Sequence, residues 1–328
     1  MTVSLSTERL LQLCTRAARV AGADHTAAHA LATATVAAEQ AGSRAVGVAH
    51  FFDYLQAYRD GRIVSGAVPE VTEPGPACLV ADAHGGLAQV AFEAALPAVR
   101  TAGALGIAAL WMTNCFTCGE LGYYPRLLAE GGLFALACAN SPALMALGGS
   151  AGPVVGTNPL AFAVPRPGRS PFVIDQATSQ TAYVNVRDAA RAGQPIPVGW
   201  AVGPDGEPTS DAAQALRGAL LPFGGYRGGN MALMVEMLAT LAGASFSVEA
   251  PPFDRGQTPP GIGVFVLGIN PDVIARGGAG RMAGHLDTLR SAHGVSLPAM
   301  SAREPADVVS LDDVLHERLL AACAADQS

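Results

Sequence analysis

The stretch "GSRAVGVAHFFDYLQAYRDG", from Gly42 to Gly61, holds one histidine, His50, among apolar and aromatic neighbours. An imidazole in such a place can donate a proton, or bind a carboxylate as imidazolium, because it titrates near neutrality. It can equally be a packed histidine on an apolar helix face. Positions 46 and 50 lie one helical turn apart on the same face, so His50 can line whatever Val46 lines. Four further polar islands interrupt apolar runs. "GTNPLAFAVP" (156–165) enters a strand with Thr157, whose hydroxyl suits a ligand carboxylate or amide; a capped turn explains it as well. "FVIDQATSQTA" (172–182) ends a strand on Asp175, where open α/β sheets often place a site; a helix N-cap is the alternative. "LLPFGGYRGGN" (220–230) sets glycines around Tyr226 and Arg227 at a helix start, where backbone amides favour anions and an arginine can clamp a phosphate. "NCFTCGELGYY" (114–124) joins another strand end to a helix. Four strand-end islands point to one shared cleft.

Of the cysteines at 14, 78, 115, 118, 138 and 323, only Cys115 and Cys118 form a close pair. A Cys-x-x-Cys can be redox-active, but zinc needs four ligands and no second pair follows. No metal is expected, and reduced cytoplasmic thiols are the simpler reading.

These residues need elements to hold them. Ser6 or Thr7 can cap a first helix carrying Leu10, Leu11 and Leu13, which Gly22–Asp24 breaks. A second, alanine-rich helix runs over 26–40. Val48, Phe51, Phe52 and Leu55 give helical spacing to a third, ended by Gly61. From about Val68 the texture changes to short apolar runs between glycines and prolines: "PACLVADAHGG", "GIAALWMTN", "LFALACAN", "NPLAFAVP", "PFVIDQAT". These read as buried strands. Helices are expected over 88–102, 121–130, 212–221, 230–242, 282–293 and 311–324. A tight hairpin is expected in "AVPRPGRSPF" and a further strand in "GVFVLGI". Gly278-Ala279-Gly280 imitates a Rossmann phosphate turn, but too few residues follow to build a nucleotide-binding half.

With 328 residues, half of them hydrophobic, the chain can bury a large core, in one or two domains. The net charge of −7 and the absence of any basic run argue against a nucleic-acid binder. Charges come early at the N-terminus, with no apolar signal-peptide core. The uncharged stretch between Glu130 and Arg166 is broken by Asn, Pro and Gly, so strands and turns are expected there rather than a spanning helix.

Taken together, "GTNPLAFAVP", "IDQATS", "IPVGWAVGPDGEPTSD" and "PFGGYRGG" resemble, in order and spacing, the malate/L-lactate dehydrogenase family that lacks a Rossmann fold. The resemblance covers nearly the whole chain. It implies an α/β fold with a central mixed sheet domain (68–281) that binds NAD(P), and a helical domain from both chain ends (1–67 and 282–328). It implies a cytoplasmic homodimer that acts on a small-molecule carboxylate, away from membranes. By position, Thr157 looks like a substrate contact. The loop of Thr117, Cys118, Gly119, Glu120 and Leu121 looks like a cofactor contact, as do Asp175, Gln176 and Ala177. Tyr226 and Arg227 match another cofactor contact, where the family usually has lysine in the second place. Further cofactor contacts are expected near Ser301 to Pro305.

The departures from the family pattern carry the functional reading. The family's Ser-His-Gly becomes Ala45, Val46 and Gly47, its next arginine becomes His50, and the histidine of a later loop becomes Thr117. Reduction of a ketone needs a proton for the developing alkoxide, and a general acid there contributes about 10²–10⁴-fold. A cyclic imine can arrive already protonated, and a carboxylate such as Asp175 favours that iminium. The expected activity is therefore reduction of Δ1-pyrroline-2-carboxylate or Δ1-piperideine-2-carboxylate to L-proline or L-pipecolate, with NADPH preferred to NADH. His50 and Asp175 are the expected catalytic groups, with His50 and Thr157 on the substrate. The alternatives are a 2-hydroxy-acid dehydrogenase with His50 as proton donor, and a non-catalytic nucleotide-binding relative.

Overall fold

The computed structural model describes residues 2–150, 152–297 and 307–324. The chain begins with β1 (Thr2–Ser6), α1 (Thr7–Val20), α2 (His25–Gln40) and, after a 3-10 turn at Arg44–Val46, α3 (Val48–Arg59). The middle follows as β2 (Glu70–Gly75), β3 (Cys78–Asp82), α4 (Ala88–Ala104), β4 (Ile107–Cys115), α5 (Tyr123–Glu130), β5 (Phe134–Ala139), β6 (Leu160–Arg166) and β7 (Arg169–Gln176). Then come α6 (Tyr183–Arg191), β8 (Ala201–Val202), β9 (Pro208–Thr209), α7 (Ala212–Ala215), β10 (Ala219–Leu220) and α8 (Tyr226–Thr240). The chain closes with β11 (Ile262–Ile269), α9 (Pro271–Ile274), α10 (Gly278–His293), β12 (Val308–Asp312) and α11 (Asp313–Ala324).

Local chemistry explains the first helices. Ser6 Oγ accepts the Arg9 amide and Asp24 Oδ1 accepts the Ala27 amide, capping α1 and α2. Leu10, Leu13, Cys14, Ala17 and Ala18 form the buried stripe of α1. α3 has no capping side chain of its own. Glu39, reaching across from α2, accepts the Val48 amide at 2.8 Å instead. A Cβ on Gly47 would run into that carboxylate, so only glycine admits this cap.

Seven strands form one mixed sheet in the order β2-β3-β4-β11-β5-β6-β7. Only β3 and β4 are parallel; every other pair is antiparallel. A Rossmann sheet is parallel throughout its nucleotide-binding half, so this is another architecture. The Gly278–Gly280 decoy simply opens α10. The uncharged stretch supplies β5, β6 and the loop between them, and Pro167-Gly168 turns β6 back into β7. No described helix is long and apolar enough to cross a membrane. The chain ends meet: β1 pairs antiparallel with β12, and Val309, Leu311, Leu319 and Cys323 share a core with α1–α3. α10 packs on β6 and is tied to the β6–β7 hairpin by Arg169–Asp287 at 2.7 Å.

Two expectations fail, and one helix was not expected. The helix over 212–221 stops at Ala215, because Ala219 and Leu220, just after Gly218, join β8 as a strand. A Cβ on Gly218 would collide with the Val202 carbonyl, which makes the close approach glycine-specific. Leu311 belongs to β12, and the last helix starts at Asp313. Residues 183–191 form a helix that propensity does not announce, since Val184, Asn185 and Val186 are poor helix formers. The contacts expected near Ser301 to Pro305 lie outside the described residues.

Candidate active site

The strand ends β4, β6 and β7 open on one side onto a cavity of about 480 Å³. Its wall contains His50, Thr157, the run Thr117 to Leu121, and Asp175, Gln176 and Ala177. Ten of the twelve residues singled out from the sequence therefore share one space. Tyr226 and Arg227 do not. They open α8, where Tyr226, 72% exposed, lines a second cavity of about 1210 Å³ and the Arg227 guanidinium lies 5.7 Å from its ring.

The strand-end wall is fixed by buried hydrogen bonds. The Thr157 carbonyl accepts both the amide and the hydroxyl of Thr178, at 2.8 Å each. Its own hydroxyl makes no hydrogen bond among the described residues. Next to it, fully buried Asn158 adopts a positive φ of 34° and donates to the Ala232 carbonyl and to Glu236. Glu236 also receives the Ser247 amide and hydroxyl at 2.6 Å each, and Ser247 in turn accepts the Gly156 amide. This network holds the Gly-Thr-Asn turn from behind.

Asp175 Oδ2 accepts the Gly122 amide at 2.7 Å. Asp175 is exposed where its surface faces two cavities, and the protein packed around the carboxyl displaces part of its water. That desolvation, helped by the charge of Glu120, lifts its pKa to about 6 against the opposing Gly122 hydrogen bond and Arg126 charge. Asp175 is thus ionised at neutral pH and protonated in mild acid. Glu120 is committed elsewhere: it is buried, paired with Arg126 at 2.5 Å, and accepts from Ser43. Burial pushes the Cys118 thiol up to about 12, and raises Cys115 as well, so neither is a thiolate nucleophile at neutral pH. Both are free thiols. Thr117 donates from its hydroxyl to that of buried Tyr54, at 2.5 Å.

The helical wall is built from side chains. His50 lies on α3 with Val46 and Ala45 beside it in the cavity lining. Its Nδ1 is 2.8 Å from Asp53 Oδ2, one turn along the helix. Its ring meets Tyr54 edge-on at 5.0 Å and Phe253 at 6.3 Å. Nε2 is the nitrogen left for a ligand. Burial alone would raise the Asp53 pKa, but the hydrogen bond and charge of His50 and the charge of Arg187 outweigh it and hold it below the usual carboxylate range. Arg187, from α6, reaches Asp53 Oδ2 at 3.2 Å and lines the same cavity. Sequence reasoning missed both Asp53 and Arg187. The spacing of His50 and Asp53 on one helix carried a signal, whereas nothing local announced Arg187. Phe253 is anchored by fully buried Arg62, which donates to its carbonyl. Among the described residues, no three His, Cys, Asp or Glu side chains gather to hold a metal.

The cavity thus offers a carboxylate, a cation-bearing pair, a free hydroxyl and several backbone edges around a mainly apolar space. Residues 5–303 match the malate/L-lactate dehydrogenase family. The chain belongs to that family. Among its relatives is a Delta(1)-pyrroline-2-carboxylate/Delta(1)-piperideine-2-carboxylate reductase of Pseudomonas aeruginosa, 36% identical, with 97% of this chain and 99% of the relative covered. A (2R)-3-sulfolactate dehydrogenase (NADP(+)) of Chromohalobacter salexigens is 35% identical over 87% of this chain and 86% of its own. The crystal structure of delta1-piperideine-2-carboxylate reductase from Pseudomonas syringae superposes with a TM-score of 0.89 at 33% identity, covering 98% and 99% of the two chains. The mixed sheet is therefore that of a malate/L-lactate dehydrogenase-family oxidoreductase.

Proposed function

We propose that this chain reduces Δ1-pyrroline-2-carboxylate or Δ1-piperideine-2-carboxylate to L-proline or L-pipecolate. The observation that carries the reading is the pairing of an apolar stretch, Ala45 and Val46, with the Asp175 carboxylate across one cavity. The apolar stretch has no proton to give a developing alkoxide. An iminium substrate needs none at the moment of reduction, and an ionised Asp175 stabilises its positive charge. The names of the relatives agree with that choice.

The residues fit a dinucleotide cofactor. Gly119, with φ 67°, lets the 117–121 loop present backbone to the cavity. Gly224 and Gly225 lead into the uncapped first turn of α8, whose amides favour a phosphate. Bound NAD(P)H supplies the electron pair that the imine carbon accepts. NADPH is the preferred form in this reading, since Arg227 makes no ion pair among the described residues and a relative is named for NADP(+). Thr117 to Leu121, Gln176 and Ala177 would orient the cofactor, and Thr157 and His50 would hold the substrate. Asp175 would set the charge at the reacting nitrogen.

The same reading places the protein in the cytoplasm as a homodimer. Leu233, Met234, Met237, Leu238 and Leu241 leave one face of α8 apolar and exposed, which suits a second copy. It also divides the chain into a helical domain from both ends (1–67 and 282–328) and a sheet domain (68–281).

The test follows cofactor absorbance with each cyclic imine and, separately, with pyruvate and oxaloacetate. Turnover of imines well above keto acids is expected; turnover of keto acids alone rejects the proposal. A second reading, a 2-hydroxy-acid dehydrogenase, draws on the Asp53–His50 contact, which leaves Nε2 placed to donate a proton. Its mark is keto-acid turnover whose pH profile follows one imidazole.

A further inference from the structure

The cavity contains a cation that the sequence did not single out. Arg187 projects from α6 with its side chain 17% exposed, and its Nε is buried without a hydrogen bond. Only Nη1 is engaged at short range, by Asp53 at 3.2 Å; the nearest other carboxylate, Asp188, is 3.9 Å from Nε and largely exposed. Asp53 is shared with His50, so one carboxylate serves two cationic or potentially cationic groups. Such a cluster is short of negative charge, and a guanidinium fork with unused donors is suited to a second carboxylate. Arg44 also lines the cavity but is exposed.

We propose that Arg187, oriented by Asp53, binds the substrate carboxylate, with His50 on its flank. The inference deepens the reading of the function given above and rests on it for the choice of substrate. A cyclic imino acid is a zwitterion when protonated. Its carboxylate would meet Arg187 and its neighbouring iminium would meet Asp175, so the cavity lining offers a partner to each of the two charges of one small molecule. A carboxylate-free imine would gain nothing from Arg187.

The experiment compares wild type, Arg187→Ala and Arg187→Lys on Δ1-pyrroline-2-carboxylate and on Δ1-pyrroline, which lacks the carboxylate. Titration calorimetry with pyrrole-2-carboxylate and a thermal melt accompany it. For Arg187→Ala, KM for the carboxylate substrate is expected to rise about 10- to 100-fold, and binding of pyrrole-2-carboxylate to weaken comparably. Activity on Δ1-pyrroline should stay within about twofold. Lysine, which keeps the charge but loses the fork, should fall between. Unchanged KM and affinity, or an equal loss on Δ1-pyrroline, overturns the assignment. If Arg187→Ala melts early, the lysine variant decides: wild-type KM and affinity there count against the fork. If wild type reduces no cyclic imine yet binds pyrrole-2-carboxylate through Arg187, the proposed reaction fails while the carboxylate site stands.

Discussion

The two walls of the cavity are held by different means. The strand-end wall is pinned by backbone groups and a buried network behind it: Glu236, Ser247 and Asn158 fix the Gly-Thr-Asn turn, and the Gly122 amide fixes Asp175. The helical wall depends on side chains reaching each other, His50 to Asp53 to Arg187, across two helices far apart in sequence. A wall made from backbone keeps its shape when a lining side chain changes. A wall made from an ion-pair chain changes its chemistry with each substitution. Substrate preference is therefore expected to reside in the helical wall, and the common machinery in the strand ends.

Substitutions can break that contrast, beginning with the largest effect. Asp175→Asn should lower kcat on cyclic imines about 100-fold, the scale of a lost charge-stabilising group. Because Asp175 titrates at about 6, wild-type kcat should fall as pH drops through 6, and the asparagine variant should lose that inflection. The stability effect has the opposite sense. A carboxyl whose folded pKa is raised above 3.8 loses stability as pH rises from about 4 to 6. Asp175→Asn should therefore melt no lower than wild type at pH 7. A variant that is both inactive and unstable would make Asp175 a structural anchor.

Glu236→Ala attacks the strand-end wall from behind. It strands the buried Ser247 amide and hydroxyl and removes one of the two acceptors of the Asn158 side-chain amide, which keeps the Ala232 carbonyl; each buried group left unpaired costs about 1–3 kcal/mol. A drop in thermal midpoint of several degrees is expected, with kcat falling only as the turn loosens. His50→Ala should do the reverse, costing about tenfold in kcat/KM with little change in the melt; unchanged kinetics would return His50 to packing. Met237→Asp on the exposed face of α8 should leave the monomer fold intact and shift sedimentation toward monomer. Smallest of all, replacing Cys115 and Cys118 with serine should leave turnover in place, since both thiols stay protonated; loss of activity restored by reductant in wild type would revive a redox role.

The strand-end wall was legible in sequence because its signals are local. Glycines, prolines and small polar residues at the ends of apolar runs mark turns directly, and they located Thr157, Asp175 and the 117–121 loop. Tyr226 and Arg227 were legible as a helix start, but nothing local said that they lie outside this cavity, with Tyr226 lining another. The helical wall was half legible: His50 stood out on its face, while its partner Arg187 lies on a helix that β-branched residues disguise. Pairings of that kind depend on tertiary packing, as does the short β10 that displaced an expected helix, because its strand identity comes from β8.

One structure would test the convergence of the two walls: the protein crystallised with NADP+ and pyrrole-2-carboxylate. The account predicts the inhibitor's carboxylate on Arg187 beside His50, and its ring nitrogen toward Asp175. An inhibitor bound with its carboxylate on the strand-end side, or outside this cavity, would contradict it.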